Sequence, residues 1–301
     1  MEQKKFTDIV RLGYKNTIGV LNEGDNIIIQ EKIDGANASF RRDGENIRAY
    51  SRNHELDEQN NLGGFYQFTQ TPTDAFRVEY LINGWIYFGE WLNPHKVKYP
   101  EYQKQFFLYD IYDVDSKMYH PFEIVRFEAK RLGLNLVPVF YEGQYQSFEH
   151  LQSFVGRTDL GGKLGDLDTG EGIVVKNVDY RDRFGNQVYV KLVTDAFREV
   201  QKQKAPKDPK IELTQEQVFV QQVVTEARVE KLLHKFVDEG ILDEVFGIED
   251  MGTILKNMNP RIIEDILKEE RDMLPEEYDP KQLSKAVART VANTCKRLLQ
   301  K

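Results

Sequence analysis

The chain has 301 residues and a formal net charge of −8, with 40% hydrophobic and 30% charged residues. This length and apolar content suffice for one large or two ordinary domains with buried cores. The acidic balance excludes a protein that is basic over its whole surface, although a local basic patch can still bind nucleic acid.

Cysteine content and hydropathy indicate the compartment. The single cysteine, Cys295, excludes an intramolecular disulfide framework and is typical of a reducing environment. No stretch approaches the roughly 18 apolar residues of a transmembrane helix, and the N-terminus has no long apolar core of a signal peptide. We therefore expect a cytoplasmic protein without a membrane span.

The first 200 residues are predicted to form strands separated by turns. All but four of the aromatic residues and all but three of the glycines lie before residue 201. Asp43-Gly44 between two apolar runs predicts a hairpin, and residues 73–81 and 120–132 have helical spacing. Long strands mixed with helices indicate an α+β domain. The predicted strands are residues 26–30, 38–42, 47–51, 85–91, 105–114, 172–177 and 187–193.

The remainder of the chain is predicted to be helical. The polar segment 201–210 contains Pro206 and Pro209 and is typical of a linker or domain boundary. Helical periodicity with few β-formers follows it, and no five-strand pattern of an OB-fold is present in the sequence. The predicted helices are residues 215–239, 251–257, 260–272 and 280–299.

Lys32 is the first candidate for chemistry. It follows the apolar run 27–29 and begins the pattern Lys32-Ile33-Asp34-Gly35-Ala36-Asn37. A lysine becomes a nucleophile when burial, nearby cations or a metal ion lower its pKa, and Gly35 would let the backbone turn tightly beside a nucleotide. From this motif alone, an ordinary strand-end lysine before a turn is an equal alternative.

Further candidates follow Lys32 in order along the chain. Arg52 could bind a phosphate through two hydrogen bonds, and Glu90 at a strand end could accept hydrogen bonds from a ribose. Alternation places Phe107, Tyr109 and Ile111 on one strand face, where an aromatic ring could stack on a purine. Each segment taken singly also fits a surface arginine, a strand-end glutamate or a core strand.

The strands 172–177 and 187–193 supply a glutamate and two lysines. Alternation places Glu171 and Lys176 on opposite faces of an ideal strand, so a bulge or Gly172 must reorient one of them. Buried strand lysines are costly unless they are paired. Lys32, Lys176 and Lys191 are therefore predicted to surround a polyphosphate.

The ordered series resembles the motifs of the covalent nucleotidyltransferases, which include polynucleotide ligases and mRNA capping enzymes. With 31 residues before Lys32 and a helical C-terminal third, the chain is similar to the nick-sealing RNA ligase 2 family. The resemblance implies an α+β nucleotidyltransferase fold, an ATP-grasp-like ligase core of antiparallel sheets with helices, followed by a small all-α C-terminal domain. It places an adenylyltransferase domain at residues 1–205 and the helical domain at 206–301.

The resemblance also implies the chemistry and its central residues. Lys32 would attack the α-phosphate of ATP and carry AMP to a 5′-phosphate, before a 3′-hydroxyl displaces the AMP. Lys176 and Lys191 would contact the α-phosphate. Glu171 would belong to the lysine and metal network, binding Mg²⁺ or Mn²⁺ partly through water. The expected protein is a monomeric ATP-dependent RNA ligase for RNA repair, acting on nicked duplex RNA.

Five further residues match nucleotide-binding positions of the family. The resemblance assigns Glu31 to adenine recognition, Asn37 and Arg52 to phosphates, Glu90 to the ribose and Tyr109 to stacking on adenine. These residues are all assigned to the ATP or AMP site.

Two positions depart from the family pattern and keep alternatives open. Asp34 stands where some RNA ligases of this branch carry histidine, and Val193 stands where the last motif often has a second lysine. Nicked DNA or single-stranded RNA ends are therefore alternative substrates. A catalytically decayed nucleic-acid-binding module and a GTP-using capping enzyme are further alternatives.

The last segment is basic. Residues 281–301 contain six basic residues and no acidic one, and Lys281, Lys285 and Arg289 share a helix face by their spacing. This face could contact the phosphates of a duplex. A solvated basic helix opposite the acidic segment 264–279 is the alternative.

Overall fold

A computed structural model describes residues 3–13, 17–182, 185–197 and 213–299. Contacts between residues divide the chain into two compact units, residues 1–194 and 195–301. The predicted linker 201–210 and the predicted boundary after residue 205 lie outside the described residues. These two predictions therefore stay predictions.

The first unit has an α+β fold built from thirteen described strands and three described helices. The strands are β1 (Ile9–Arg11), β2 (Asn26–Lys32), β3 (Ala36–Asp43), β4 (Asn46–Ser51), β5 (Trp85–Trp91), β6 (Phe106–Asp113), β7 (Met118–Tyr119), β8 (Asn135–Leu136), β9 (Val139–Gln144), β10 (Lys163–Leu164), β11 (Leu167–Asp168), β12 (Gly172–Arg181) and β13 (Gln187–Val193). The helices are α1 (Phe65–Gln70), α2 (Phe122–Arg131) and α3 (Phe148–Gln152). All seven predicted strands are confirmed, with bounds shifted by a few residues.

Two largely antiparallel sheets and a small two-stranded sheet, β10-β11, form this unit. The first has the order β1-β13-β12-β2-β9, and the second has the order β4-β3-β5-β6-β7 with β8 beside β6. The pairs β1–β13 and β6–β8 are parallel. The predicted hairpin is confirmed, since Asp43 pairs with Asn46 across a turn in which Gly44 has a φ of 64°. Positive φ favours glycine there.

Apolar side chains on alternate strand positions build the cores. Ile27 and Ile29 of β2 pack with Ile173 and Val175 of β12 on the outer face of the first sheet. Between the sheets lies a cluster of buried aromatic and aliphatic residues. It contains Phe6, Ile86, Phe88 and Tyr189, with Tyr109 and Val174 packed against them. The opposite face of the second sheet packs against α1 and α2.

The predicted helix at residues 73–81 is wrong. The described chain forms a single 3-10 turn there, Val78–Tyr80. Thr73 closes a local loop on Phe76, because its backbone N–H donates to the Phe76 carbonyl at 2.8 Å and its hydroxyl accepts from the Phe76 N–H at 2.9 Å. Such local bonds compete with a helix, and the loop buries Phe76 and Leu81 in the core.

The described part of the second unit is helical and has its own core. Its helices are α4 (Gln215–Val223), α5 (Glu226–Asp238), α6 (Met251–Glu269) and α7 (Pro280–Leu299), with short 3-10 turns between them. Apolar faces of all four helices share one cluster that includes Phe219, Phe236, Ile262 and Val291. The predicted all-α character of the C-terminal region is confirmed.

Two helix predictions in this unit are wrong in their bounds. The predicted helix 215–239 is interrupted, because buried Thr225 caps α5 by accepting a hydrogen bond from the Arg228 N–H. The predicted helices 251–257 and 260–272 are one continuous helix, α6, with Pro260 inside it. A proline in a helix interior costs about 3 kcal/mol. The buried row Ile254, Met258, Ile262 and Ile266 offsets that cost through packing.

Among the described residues, no helix combines the length and apolar composition that crossing a membrane requires.

Candidate active site

Lys32 ends β2 and contacts Glu171. Its Nζ donates a hydrogen bond to Glu171 Oε2 at 2.6 Å, and the two side chains are 19% and 9% exposed. In the sheet, Lys32 is opposite Gly172 of β12, which in turn is opposite Val193 of β13. The structure therefore brings the predicted nucleophile and the predicted glutamate into direct contact, with the side chain of Lys32 still reachable from solvent.

Gly172 explains how Glu171 reaches this face. Glu171 lies just outside β12, so strict alternation does not apply to it. A Cβ on residue 172 would lie 2.1 Å from the Leu192 carbonyl oxygen, so β12 and β13 can approach closely there with glycine alone. Of the two predicted alternatives, a bulge or Gly172, the close approach of the strands at residue 172 favours the glycine.

Glu31 points to the opposite face of β2 and holds a loop. Its carboxylate accepts hydrogen bonds from Thr158 Oγ1 at 2.7 Å and from the Asp159 N–H at 2.9 Å. Glu31 is 2% exposed, and burial raises its pKa although these hydrogen bonds oppose the shift. The side chain thus holds Thr158 and Asp159 of the loop beside the strand end. Its predicted role in adenine recognition stays a prediction.

Asp34 holds a second loop on the other side of the turn. Its carboxylate accepts from the Val97 N–H at 2.8 Å and lies 3.4 Å from His95 Nδ1. Burial acts to raise the pKa of Asp34, but the hydrogen bond and charge of His95, with the Val97 N–H and the Lys32 charge, outweigh it and lower that pKa to about 2. Lys98 and Lys163 then join the two loops through reciprocal backbone hydrogen bonds of 2.8 Å. We call residues 93–99 and 156–163 the Lys32 collar.

Glu90, Asn37 and Tyr109 belong to strands of the second sheet and lie near the turn after Lys32. Glu90 Oε1 accepts from the Gly35 N–H at 3.2 Å, and Glu90 is the strand partner of Asn37. Asn37 Nδ2 donates to the Tyr109 hydroxyl at 2.5 Å, and the Tyr109 ring packs against Phe6 with centroids 4.8 Å apart. These three predicted nucleotide-binding residues therefore lie together around the Lys32 turn.

The Gly35 turn requires glycine for space. A Cβ there would lie 2.7 Å from the Trp91 carbonyl oxygen and 2.9 Å from Glu90 Cγ. A side chain at residue 35 would push Glu90 away from the turn. The glycine of the sequence motif is thus explained by close approach between β5 and the segment after β2.

Glu90 should make stability depend on pH. Burial raises its pKa from 4.5 to about 7, so between these values the folded protein retains a proton that the unfolded chain releases. The contribution of Glu90 to stability is therefore greatest below pH 4.5 and is lost as the pH rises through about 7. Glu90→Gln keeps an oxygen for the Gly35 N–H, so the variant should gain stability relative to wild type as the pH rises through this range.

Urea unfolding at intervals from pH 4.5 to 7.5 checks this expectation. Glu123→Gln, at an exposed position of α2, is the matched control and should follow the wild-type profile. Parallel profiles for wild type and Glu90→Gln would contradict it.

Lys176 lies in a buried ion pair. Its Nζ is 2.8 Å from Asp110 Oδ2, and the side chains are 6% and 1% exposed. The Tyr189 hydroxyl donates to the same carboxylate at 2.5 Å. The structure therefore directs the Lys176 amine toward Asp110. Its predicted contact with the α-phosphate stays a prediction.

Arg52 and Lys191 are the remaining predicted residues. Arg52 forms an exposed ion pair with Asp8 at 2.5 Å. Among the described residues, it has no hydrogen bond to Lys32, Glu171 or Glu90. Lys191 is buried and is paired with Val174 in the sheet, two residue pairs along the strands from the Gly172–Val193 pair. Val193 is level with Lys32 but separated from it by Gly172 of β12, so the position that lacks a lysine is two strands from the candidate nucleophile in the same row of the sheet.

The donor set near Lys32 limits how a metal ion could bind. Glu171 is hydrogen-bonded to Lys32. In the described ranges, no group of three or more His, Cys, Asp or Glu side chains could hold a metal. These residues fit a Mg²⁺ or Mn²⁺ ion that takes most of its oxygen ligands from phosphates and water, with Glu171 as one contact.

Sequence reasoning missed four residues that shape the site. Asp110 pairs with Lys176, His95 contacts Asp34, and Thr158 and Asp159 bind Glu31. An acidic residue in the strand 105–114 was the signal that could have indicated Asp110. His95, Thr158 and Asp159 lie in loops and carry no local motif.

A family model described as RNA ligase matches residues 25–193, which is more than half of the chain and contains all nine predicted site residues. No curated protein matches the chain.

Solved structures of the RNA ligase of Naegleria gruberi are similar to the chain. A variant with ATP and Mn is 21% identical over 64% of this chain and 56% of that one, with a TM-score of 0.43. The ligase with PPi is 22% identical over 65% and 57%, with a TM-score of 0.44. The chain thus spans less than two thirds of the Naegleria ligase. Because the family model covers residues 25–193, this protein belongs to the RNA ligase family.

Proposed function

We propose that the protein is an ATP-dependent RNA ligase that joins 5′-phosphate and 3′-hydroxyl ends, above all at nicks in duplex RNA. Membership of the RNA ligase family supports the joining of RNA. The observation that carries the proposal is the 2.6 Å contact between the Lys32 amine and the Glu171 carboxylate at a strand end. This contact supports a role for Lys32 as the nucleophile, because the Glu171 carboxylate could accept a proton from its amine.

The first step would load AMP onto Lys32. The amine loses a proton, for which Glu171 is an acceptor already in contact, and its lone pair attacks the α-phosphorus of ATP. An N–P bond forms on Nζ, the bond from the α-phosphorus to the bridging oxygen breaks, and pyrophosphate leaves with that electron pair. The product is a lysyl-AMP phosphoamide and one pyrophosphate.

The surrounding residues would position the nucleotide. Glu90, Asn37 and Tyr109 lie on the side of the turn that faces the second sheet, where a ribose and base could be held. The Lys32 collar fixes both flanks of the turn through Glu31 and Asp34. A divalent ion, when bound, would neutralise charge on the phosphate oxygens.

Two further transfers would complete the reaction. The 5′-phosphate of the RNA takes AMP from Lys32, which regains a free amine, and the RNA end becomes an adenylated pyrophosphate. The 3′-hydroxyl then attacks the 5′-phosphorus, loses its proton, and expels AMP. A phosphodiester and one AMP are the products.

A panel of nicked substrates tests the RNA assignment. We expect sealing with ATP and Mg²⁺ to be fastest for an all-RNA nick, slower for RNA/DNA hybrid nicks and for single-stranded RNA ends, and slowest for an all-DNA nick. A-form duplexes differ from B-form duplexes in shape and in the 2′-hydroxyls of the minor groove, which gives a physical basis for discrimination. Fastest sealing of the all-DNA nick would overturn the proposal.

DNA joining is the second candidate, and Asp34 favours it. This residue has the DNA-ligase-like identity, and its carboxylate has a defined structural use in binding the Val97 N–H and His95. The same panel of nicks decides between the two candidates. The monomeric state and cytoplasmic location stay predictions from the sequence.

A further inference from the structure

One face of α7 presents a row of exposed cations. Lys285, Arg289 and Lys296 are exposed, and their spacing of four and seven residues places them on the same side of the helix. Leu283, Val287, Val291 and Cys295 occupy the opposite side and are buried in the helical core. At a rise of about 1.5 Å per residue, the row spans about 17 Å.

These three cations differ from Arg228 and Arg261 of the same unit, which both have acidic partners. Arg228 is buried among Asp265, Glu269 and Glu270, and Arg261 is paired with Glu239. In contrast, no described acidic side chain forms an ion pair with Lys285, Arg289 or Lys296 within the structure's described ranges. The helix itself has no acidic residue from Pro280 to Leu299.

This row of positive charge lies in a chain that is acidic overall. The chain has a net charge of −8, and the preceding segment 264–279 is rich in acidic residues. A uniform surface would intersperse both signs, and neutralising pairs would form on an exposed helix at spacings of three or four residues. Here positive charge is instead concentrated along one face, which is the footprint of binding to a polyanion.

We propose that the Lys285–Arg289–Lys296 face of α7 binds the phosphate backbone of duplex RNA. The proposal rests on the proposed function, since the RNA substrate is the polyanion that the family supplies. Aliphatic stems of lysine and arginine allow their charged ends to reach successive phosphates, and each contact releases condensed counterions. Such contacts fix the protein on the duplex without selecting a base sequence.

Charge removal on this face is the test. The variant Lys285→Gln/Arg289→Gln/Lys296→Gln in the full chain should form lysyl-AMP at the wild-type rate. It should bind a 5′-phosphorylated nicked RNA duplex at least about tenfold more weakly near physiological salt, with the slope of log affinity against log salt reduced by about 2 to 3. Sealing of the nick at subsaturating RNA should fall in proportion.

A second triple variant controls for net charge. Lys256→Gln/Lys268→Gln/Arg271→Gln removes the same charge from exposed positions of the helical unit outside α7. Its slope of log affinity against log salt should stay within about 1 of the wild-type slope. Equal losses in both triple variants, or an unchanged slope in the α7 variant, would overturn the proposed RNA-binding face.

The measurements separate this proposal from the proposed function. Absence of lysyl-AMP in the wild-type protein would contradict the ligase assignment itself. Normal lysyl-AMP formation and normal RNA affinity in the α7 variant would contradict the binding face and leave the ligase assignment standing.

Discussion

Lys32→Ala should abolish the covalent protein–AMP adduct. Alanine has no amine to attack the α-phosphorus, and the described lysines Lys176 and Lys191 lie buried in the sheet, with Lys176 held by Asp110. We expect adduct formation to fall below detection, at least about a thousandfold, as is typical when a covalent nucleophile is removed. Intact-mass spectrometry after incubation with ATP and Mg²⁺, followed by peptide mapping, measures the adduct and its position.

A matched lysine variant controls for this result. Lys130→Ala removes an exposed lysine from α2 in the same unit and should form the adduct at the wild-type rate. Labelling of Lys32→Ala at the wild-type level would show that another residue carries AMP. Labelling by GTP and not by ATP would revive the capping-enzyme alternative.

Asp110→Asn should strongly destabilise the first unit. The change leaves the Lys176 ammonium buried without its ion-pair partner, and breaking one side of a buried pair costs about 3 to 5 kcal/mol. The Tyr189 hydroxyl also loses its charged acceptor. Urea unfolding followed by tryptophan fluorescence reports on this unit, because both Trp85 and Trp91 lie in β5.

Two control variants accompany this prediction. One compares the stability cost with that of an exposed ion pair, and the other distinguishes the effect on stability from an effect on lysyl-AMP formation. Asp168→Asn breaks the exposed pair with Lys163, which has the same 2.8 Å separation, and should cost less than about 1 kcal/mol. Asp110→Leu/Lys176→Met replaces both charges by apolar groups and should recover most of the stability. If Lys176 also serves the α-phosphate, the recovered protein should still fail to form lysyl-AMP. Equal costs for Asp110→Asn and Asp168→Asn would contradict the buried-pair argument.

Local patterns in the sequence determined the strands and the strand-end position of the candidate nucleophile. Alternation along 26–32 separates Ile27, Ile29 and Glu31 from Lys32, because successive side chains of a strand point to opposite faces. Glycines at 35 and 172 marked points of close backbone approach, as their surroundings show. Short motifs of this kind depend on neighbours in the chain, so the sequence contains what is needed to predict them.

Helix bounds in the second unit required tertiary packing. Pro260 indicated a break, yet α6 continues through it because one buried face holds the helix on both sides. The sequence pattern around Thr225 predicted no break, yet Thr225 lies between α4 and α5 and caps the start of α5. Local propensity is a small energy, and burial of an apolar face exceeds it.

The sequence by itself determined which residues are candidates for the chemistry, and the tertiary structure decided which of them meet. Lys32 meets Glu171 across 139 positions of the chain, and Lys176 meets Asp110 across 66. The carboxylate of Glu31 turns to a loop 127 residues away. Sheet register and the packing of two sheets set these partners, because a hydrogen bond needs atoms within about 3 Å, and no spacing along the chain encodes that distance.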